Sequence, residues 1–353
     1  MQKIALLLLA ALLLAGCTPS GEPSPGELTD VTTPTPAQTQ RPLSEPAPTV
    51  EPTASVPEAT PEPVMLKSRV GTLNCRSTPT SKDSSNIVDQ LGFEEGGEFL
   101  KTEGEFTLLR LADGKEVYCF SEYLVDADTA LYAYLKTEKG QKTDLVTGEP
   151  VFEKDGVTPV MVKNELVDLR LYLPDAVYEM LFATEKNITG APLYPRAVPL
   201  IQKDTAQKLM KAFDRFKADG YTMKIYDAYR PRSVQRILFN IVQNKHWIAN
   251  PDTTASNHNR GCAVDMALID DATGLELTFP TPMHTFTVES ARTSETWSAE
   301  AKANVEYMTN IMVECGFNYI ESEWWHFSDT DSKAFMTTDI NLGSVTMLPK
   351  QED

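Results

Sequence analysis

Histidine is the scarcest versatile residue in this chain. Its 353 residues hold only four: His246, His258, His284 and His326. An imidazole site can therefore be assembled in few ways. Basic residues are short too, 32 Lys and Arg against 50 Asp and Glu, for a formal charge of −18 and a pI near 4.7. Nucleic acid requires a basic footprint, so this balance argues against it as a partner. The apolar run Ile4–Ala15 falls short of the roughly 20 residues that a membrane-spanning helix needs. Cysteine occurs five times and never as Cys-x-x-Cys. Cys262 accordingly reads as a small buried residue, not as a nucleophile.

The N-terminus has a processing pattern. Lys3 precedes the apolar run, which ends in Leu14-Ala15-Gly16-Cys17. This resembles the bacterial lipoprotein lipobox, with an ordinary secretory peptide cut nearby as the alternative. The resemblance implies a signal peptide over 1–17, lipidation of Cys17, and a membrane anchor on the extracytoplasmic face. In an exported protein Cys75, Cys119, Cys262 and Cys315 can form disulfides. Three pairings are open; Cys75 with Cys119 is plausible because both fall in one small domain.

Residues 18–64 read as a tether. Twelve of the 24 prolines lie between Thr18 and Pro63, where Arg41 is the only basic residue. Such a composition buries no core and favours extended polyproline conformations. Over 65–125 short apolar runs recur about every ten residues with Gly-Gly and Asp-Gly between them, the pattern of a small all-β barrel. Leu73–Ser77 and Gly114–Leu124 resemble the bacterial Src-homology-3-like domain, which implies either binding of cell-wall peptide or a structural spacer. Residues 126–163 read as a connector, with Ala130–Leu135 a strand or a helical turn. From 164 to 340 the pattern is α+β: a mixed or antiparallel sheet with helices. Helices are expected over Thr205–Ala218, Ser233–Gln243 and Glu300–Cys315. Strands are expected over Tyr221–Asp227, Cys262–Leu268, Phe317–Ile320 and Glu323–Phe327. In the second helix Val234, Ile237, Leu238 and Ile241 share one side. Residues after Asp331 read as a tail packed across the domain.

The chemistry concentrates in Ser256–Asp265 and in Glu323-Trp324-Trp325-His326. His258 and Asp265 flank Gly261, which permits a tight bend, and imidazole with carboxylate suits zinc. Glu323 and His326 are three residues apart among strand-forming residues. In a regular strand they point to opposite faces. They reach one site only if the strand ends or bulges there.

With Val167–Arg170, Ala183–Gly190 and Tyr226–Pro231, these motifs resemble the zinc D-alanyl-D-alanine dipeptidase (VanX-like) family over residues 164–330. The resemblance implies one Zn2+ held by His258, Asp265 and His326, with Glu323 as general base and Arg230 stabilising the tetrahedral intermediate. It places Ser256 near the substrate carboxylate, Asp227 behind Arg230, and Tyr229 in the pocket wall. His284 stands where the family carries an aspartate that helps hold the dipeptide's ammonium. Either longer, N-acylated peptides are tolerated, or another carboxylate such as Glu289 serves. The expected activity is hydrolysis of D-Ala-D-Ala or related D-alanyl peptides of peptidoglycan. A D,D-carboxypeptidase acting on longer muropeptides and a non-catalytic cell-wall-binding lipoprotein are the rivals.

Overall fold

The structure, a computed structural model, describes residues 62–352. The expected signal peptide, Cys17 and nearly all of the tether lie outside the described residues. Among those described, no helix is long and apolar enough to cross a membrane.

Seven strands come first: β1 (Met65–Ser68), β2 (Leu73–Arg76), β3 (Ile87–Leu91), β4 (Gly96–Glu103), β5 (Phe106–Arg110), β6 (Glu116–Phe120) and β7 (Leu124–Asp126). They form one antiparallel sheet in the order β3-β2-β6-β5-β4-β1-β7. At the start of β4 the backbones of β1 and β5 press close. A Cβ on Gly96 would lie 1.8 Å from the Leu66 carbonyl oxygen, and one on Gly97 would lie 2.4 Å from that of Arg110. Only glycine fits there. The buried core is small: Leu73, Cys75, Leu91, Leu109, Val117 and Cys119. The pairing of Arg76 with Tyr118 sets Cys75 beside Cys119 across β2 and β6. Their Sγ atoms are 3.4 Å apart, and both thiols are free.

Next come β8 (Leu131–Tyr134), β9 (Glu138–Gln141), β10 (Met161–Asn164), β11 (Leu166–Asp168), β12 (Val177–Tyr178), β13 (Leu200–Gln202), α1 (Lys203–Ala218) and β14 (Tyr221–Asp227). They are followed by α2 (Arg232–Val242), β15 (Ala263–Asp270), α3 (Ala299–Glu314), β16 (Phe317–Ile320), β17 (Glu323–Asp329) and β18 (Thr346–Pro349). The central sheet runs β12-β14-β15-β17-β16, with only β12 parallel to its neighbour.

β15 is buried from Ala263 to Leu268 and β17 along its whole length. Both faces are covered, which is why these strands lack polar–apolar alternation. α1 turns Leu209, Phe213 and Phe216 inward and stops before Gly220, whose φ is +86°. In α2 the buried stripe is Val234, Gln235 and Leu238, while Ile237 and Ile241 are exposed. The helix is rotated from the expected apolar face because the Gln235 amide is used inside, as shown below.

Leu131–Tyr134 is a strand. β8 pairs with β18, and Leu131 and Ala133 join the large core. The backbone N–H of Ala133 donates to Asp168 Oδ2 at 2.9 Å, tying this segment to β11. The tail does pack across the domain: Ile340 N and Thr338 Oγ1 both meet the Tyr229 hydroxyl, at 2.7 and 3.1 Å.

Candidate active site

Two irregularities in the central sheet aim the chemistry. Between β14 and β15 the register shifts around Tyr226, so that Asp227 comes opposite Asp265. Between β16 and β17 it shifts again: Tyr319 pairs with Phe327, but Ile320 pairs with Glu323. The extra residues on β17 turn Glu323 and His326 to the same side, with Glu323 Oε2 3.9 Å from His326 Nδ1. This is the bulge that the Glu/His spacing required.

His258 sits in a short turn over Asn257–Arg260. The turn is capped by Ser256, whose Oγ accepts from the His258 N–H at 3.2 Å while its own N–H donates to Asn259 Oδ1. Gly261 ends the turn at φ +64°, and a Cβ there would lie 2.3 Å from Leu166 Cδ2. Asn259 Nδ2 donates to the Arg230 carbonyl, and Arg230 N to the His258 carbonyl. The two motifs are thereby locked together.

Three buried donors converge: His258, Asp265 and His326. His258 Nε2 lies 3.1 Å from His326 Nδ1 and 3.2 Å from Asp265 Oδ1, which is 3.1 Å from His326 Nδ1. A tetrahedral zinc with bonds of about 2.0 Å needs donors roughly 3.3 Å apart, so the triangle fits that ion. Protonation supports the fit. The Ala228 carbonyl accepts from His258 Nδ1 at 2.7 Å, so that nitrogen carries the proton and Nε2 offers its lone pair. His326 Nε2 is held by Ser328 Oγ at 2.7 Å, leaving Nδ1 inward. Burial opposes the Asp265 charge, but the surrounding imidazoles of His258, His284 and His326 outweigh it and hold the carboxyl well below its usual range.

Glu323 behaves oppositely. Burial first, then the Asp265 charge, pushes it up to about 8, against the pull of His284, Arg230 and His258. Arg230 is buried over the Phe182 ring at 4.9 Å. Its Nε and Nη2 meet Asp227 Oδ2 at 2.8 and 2.6 Å, its Nη1 meets Gln235 Oε1 at 3.0 Å, and its Nη2 lies 3.4 Å from Asp265 Oδ2. Burial disfavours its charge, yet Asp227, Tyr194 and Asp265 keep it cationic, its pKa above the ordinary value.

A cavity of about 220 Å³ opens onto this cluster. It is lined by Arg230, Ser256, His258, Asp265, Glu323 and His326, and by Lys245–Ala249, Phe286 and Ile320. Asp227, Tyr229 and His284 do not line it. Asp227 braces Arg230 and accepts from the Tyr194 hydroxyl at 2.7 Å, and Tyr229 anchors the tail. His284 reaches Asp265 Oδ2 through Nε2 at 2.9 Å. Glu289 is exposed and does not line the cavity. Burial pushes the Cys262 thiol well up, consistent with an inert residue. A larger cleft of about 830 Å³ beside α3 contains none of the three donors.

Gln235, Phe182, Ser328 and the Lys245–Ala249 segment were not legible as site residues. Gln235 reaches Arg230 and the Ala249 carbonyl at the cavity wall, Phe182 lies under Arg230 and against His284, and no spacing rule marks either.

The family model described as D-Ala-D-Ala dipeptidase, peptidase M15, matches residues 162–341, just over half of the chain. The chain belongs to the M15 peptidase family. As an M15 member it is a zinc metallopeptidase, in keeping with the donor triangle. The chain is 34% identical over 164 residues to a D-alanyl-D-alanine dipeptidase of Escherichia coli (strain K12), covering 46% of this chain and 84% of that protein. To the D-alanyl-D-alanine dipeptidase of Enterococcus faecium it is 25% identical over 169 residues, 42% of this chain and 84% of that one. A vancomycin-resistance D,D-pentapeptidase crystallised with Zn(II) is 17% identical over 38% of this chain and 76% of that one. Its TM-score is 0.26.

Proposed function

We propose that this M15 peptidase hydrolyses D-alanyl peptides of peptidoglycan at a single zinc held by His258, Asp265 and His326. The observation that carries this reading is the donor triangle of 3.1–3.2 Å with the Glu323 carboxylate 3.9 Å from one of its corners. Zinc, when bound, supplies Lewis acidity at the scissile carbonyl and makes water a usable nucleophile near neutral pH.

The remaining work falls to the chain's own groups. Glu323 takes a proton from the attacking water and returns it to the leaving amine; a carboxyl whose pKa is raised toward the working pH suits both transfers. Arg230, braced by Asp227 and Gln235, faces the oxygen that becomes negative in the tetrahedral intermediate. Ser256, whose hydroxyl is engaged in capping the turn at the cavity wall, orients the substrate's carboxylate end. Intact Glu323 and Arg230 speak against a binding-only role, which has no chemical use for a base.

One observation favours longer substrates. Among the described lining residues the only carboxylates are Asp265 and Glu323, both already engaged. A free α-ammonium therefore finds no spare counter-charge, and an N-acylated stem peptide needs none. Hydrolysis of D-Ala-D-Ala and of an N-acylated D-Ala-D-Ala tripeptide, compared with and without chelator, tests both levels. The acylated peptide should be cleaved at least as well as the dipeptide, and both activities should vanish on chelation and return with zinc. Glu323→Gln should lose roughly 10²–10⁴-fold in kcat while retaining zinc. Hydrolysis that survives this change removes the mechanism, and strict dipeptide preference removes the longer substrate.

For the rest of the chain we propose lipidation of Cys17 and anchoring on the extracytoplasmic face of the membrane. Residues 65–125 would be a Src-homology-3-like module held above it. Loss of labelled lipid from a Cys17→Ala protein is the check.

A further inference from the structure

We infer that His284 is a positioning residue that fixes the zinc-ligand carboxylate Asp265, and that it does not receive the substrate's amino end. The inference rests on reading Asp265 as a zinc ligand.

The two oxygens of Asp265 have separate tasks. Oδ1 faces His258 and His326. Oδ2 faces away and meets His284 Nε2 at 2.9 Å and Arg230 Nη2 at 3.4 Å. The second contact is long for a charged hydrogen bond, so His284 is the main donor to Oδ2. An ionised carboxylate only accepts, which puts the proton on His284 Nε2.

The position of the ring is strongly determined. Residue 284 has φ +58°, a left-handed conformation that non-glycine residues seldom adopt. The ring stacks on Phe182 at 4.9 Å and 15°, lies nearly parallel to Phe286 at 6.0 Å and 8°, and meets Trp325 edge-on. Its other nitrogen, Nδ1, is buried and has no hydrogen-bond partner among the described residues. A strained backbone and an unpaired buried nitrogen are both costs, and the one polar contact they secure is the bond to Oδ2. Strain of this kind persists where the surroundings over-determine a functional geometry.

The consequence is orientational. With Oδ2 tied back, Asp265 presents one oxygen to the donor triangle and cannot turn both toward it. A carboxylate at position 284 would face Asp265 across a hydrogen-bond distance, and the two could not readily both ionise. Histidine here thus supports the ligand while giving up an ammonium contact.

The test compares His284→Phe, which keeps the stacking and loses the donor, with His284→Gln, whose terminal amide can still donate to Oδ2. The readouts are zinc affinity by competition with a chromophoric chelator and the visible spectrum of the Co(II)-substituted protein. Loss of an outer-shell partner typically weakens metal binding about 10–100-fold. His284→Phe should show that loss and an altered Co(II) spectrum, while His284→Gln stays within about threefold of the parent. If His284→Phe does not fold, His284→Asn, too short to reach Oδ2, replaces it with the same expectation. Unchanged zinc affinity and spectrum in the donor-less variant, with only KM for free dipeptide raised, overturns the inference. Asp265→Asn separates the two readings: full zinc affinity in that variant refutes the ligand assignment itself, whatever the His284 variants do.

Discussion

The two sheets of this chain solve opposite problems. The seven-stranded sheet has a buried core of six side chains, two of them cysteines. The five-stranded sheet stands in a far larger apolar cluster and buries charge within it: Asp227, Arg230, Asp265 and Glu323. A small core has little burial to spare, since its surface grows relative to its interior. A large one can hold an unfavourable cluster, provided each charge has a partner. The difference shows where function can be placed. The proposed catalytic groups lie on β15, β17 and the loops beside them, while the seven-stranded sheet keeps most of its charges on its surface, Arg76 being a buried exception.

Breaking a partnership in the five-stranded sheet should have the largest effect on stability. Asp227→Ala leaves the Arg230 guanidinium with only Gln235 and the 3.4 Å contact to Asp265, and should cost about 3–5 kcal/mol in denaturant unfolding. A variant that unfolds at the parental midpoint would mean that the charge is not held by that pair. Glu323→Gln, by contrast, removes a carboxylate that burial already disfavours, so activity falls without loss of stability.

In the seven-stranded sheet the corresponding lever is covalent. Exposure of the folded protein to oxidised glutathione should exchange through a mixed disulfide and join Cys75 to Cys119, with the loss of two hydrogens by mass. Closing a loop of this length stabilises by about 4 kcal/mol in the chain-entropy model, with engineered cases often lower. A glutathione adduct that never resolves, or linkage to Cys315, would exclude the pair. The smallest effect belongs to the sheet surface. Arg110 bridges Glu98 and Glu116, with Arg110 and Glu116 exposed and Glu98 half-buried, and Arg110→Ala should shift stability by less than about 1 kcal/mol. A larger shift would make the exposed face part of the sheet's support.

Much of the catalytic region was legible because its signals are local. The stripe of α1, the strand at Tyr221–Asp227 and the bend at Gly261 follow from residue periodicity and backbone freedom. The His258/Asp265 and Glu323/His326 motifs pointed to one site, and the need for a bulge in β17 was visible in their spacing. What escaped depends on partners distant in the chain. Leu131–Tyr134 was ambiguous because its strand partner is Thr346–Pro349. The rotation of α2 was hidden because Gln235 turns inward to meet Arg230 and the Ala249 carbonyl. The engagement of His284 by Asp265 was equally unreadable, since a side chain's direction in a loop leaves no periodic trace.

The pairing of β8 with β18 has a practical corollary for handling the protein. The family-matched segment, 162–341, begins after one of these strands and ends before the other. Trimming to that segment would uncover the apolar surface now capped by Leu131, Ala133 and Met347, and would take the Ala133 donor from Asp168. Homology marks where ancestry is recognisable; a workable expression boundary must also include both halves of this clasp.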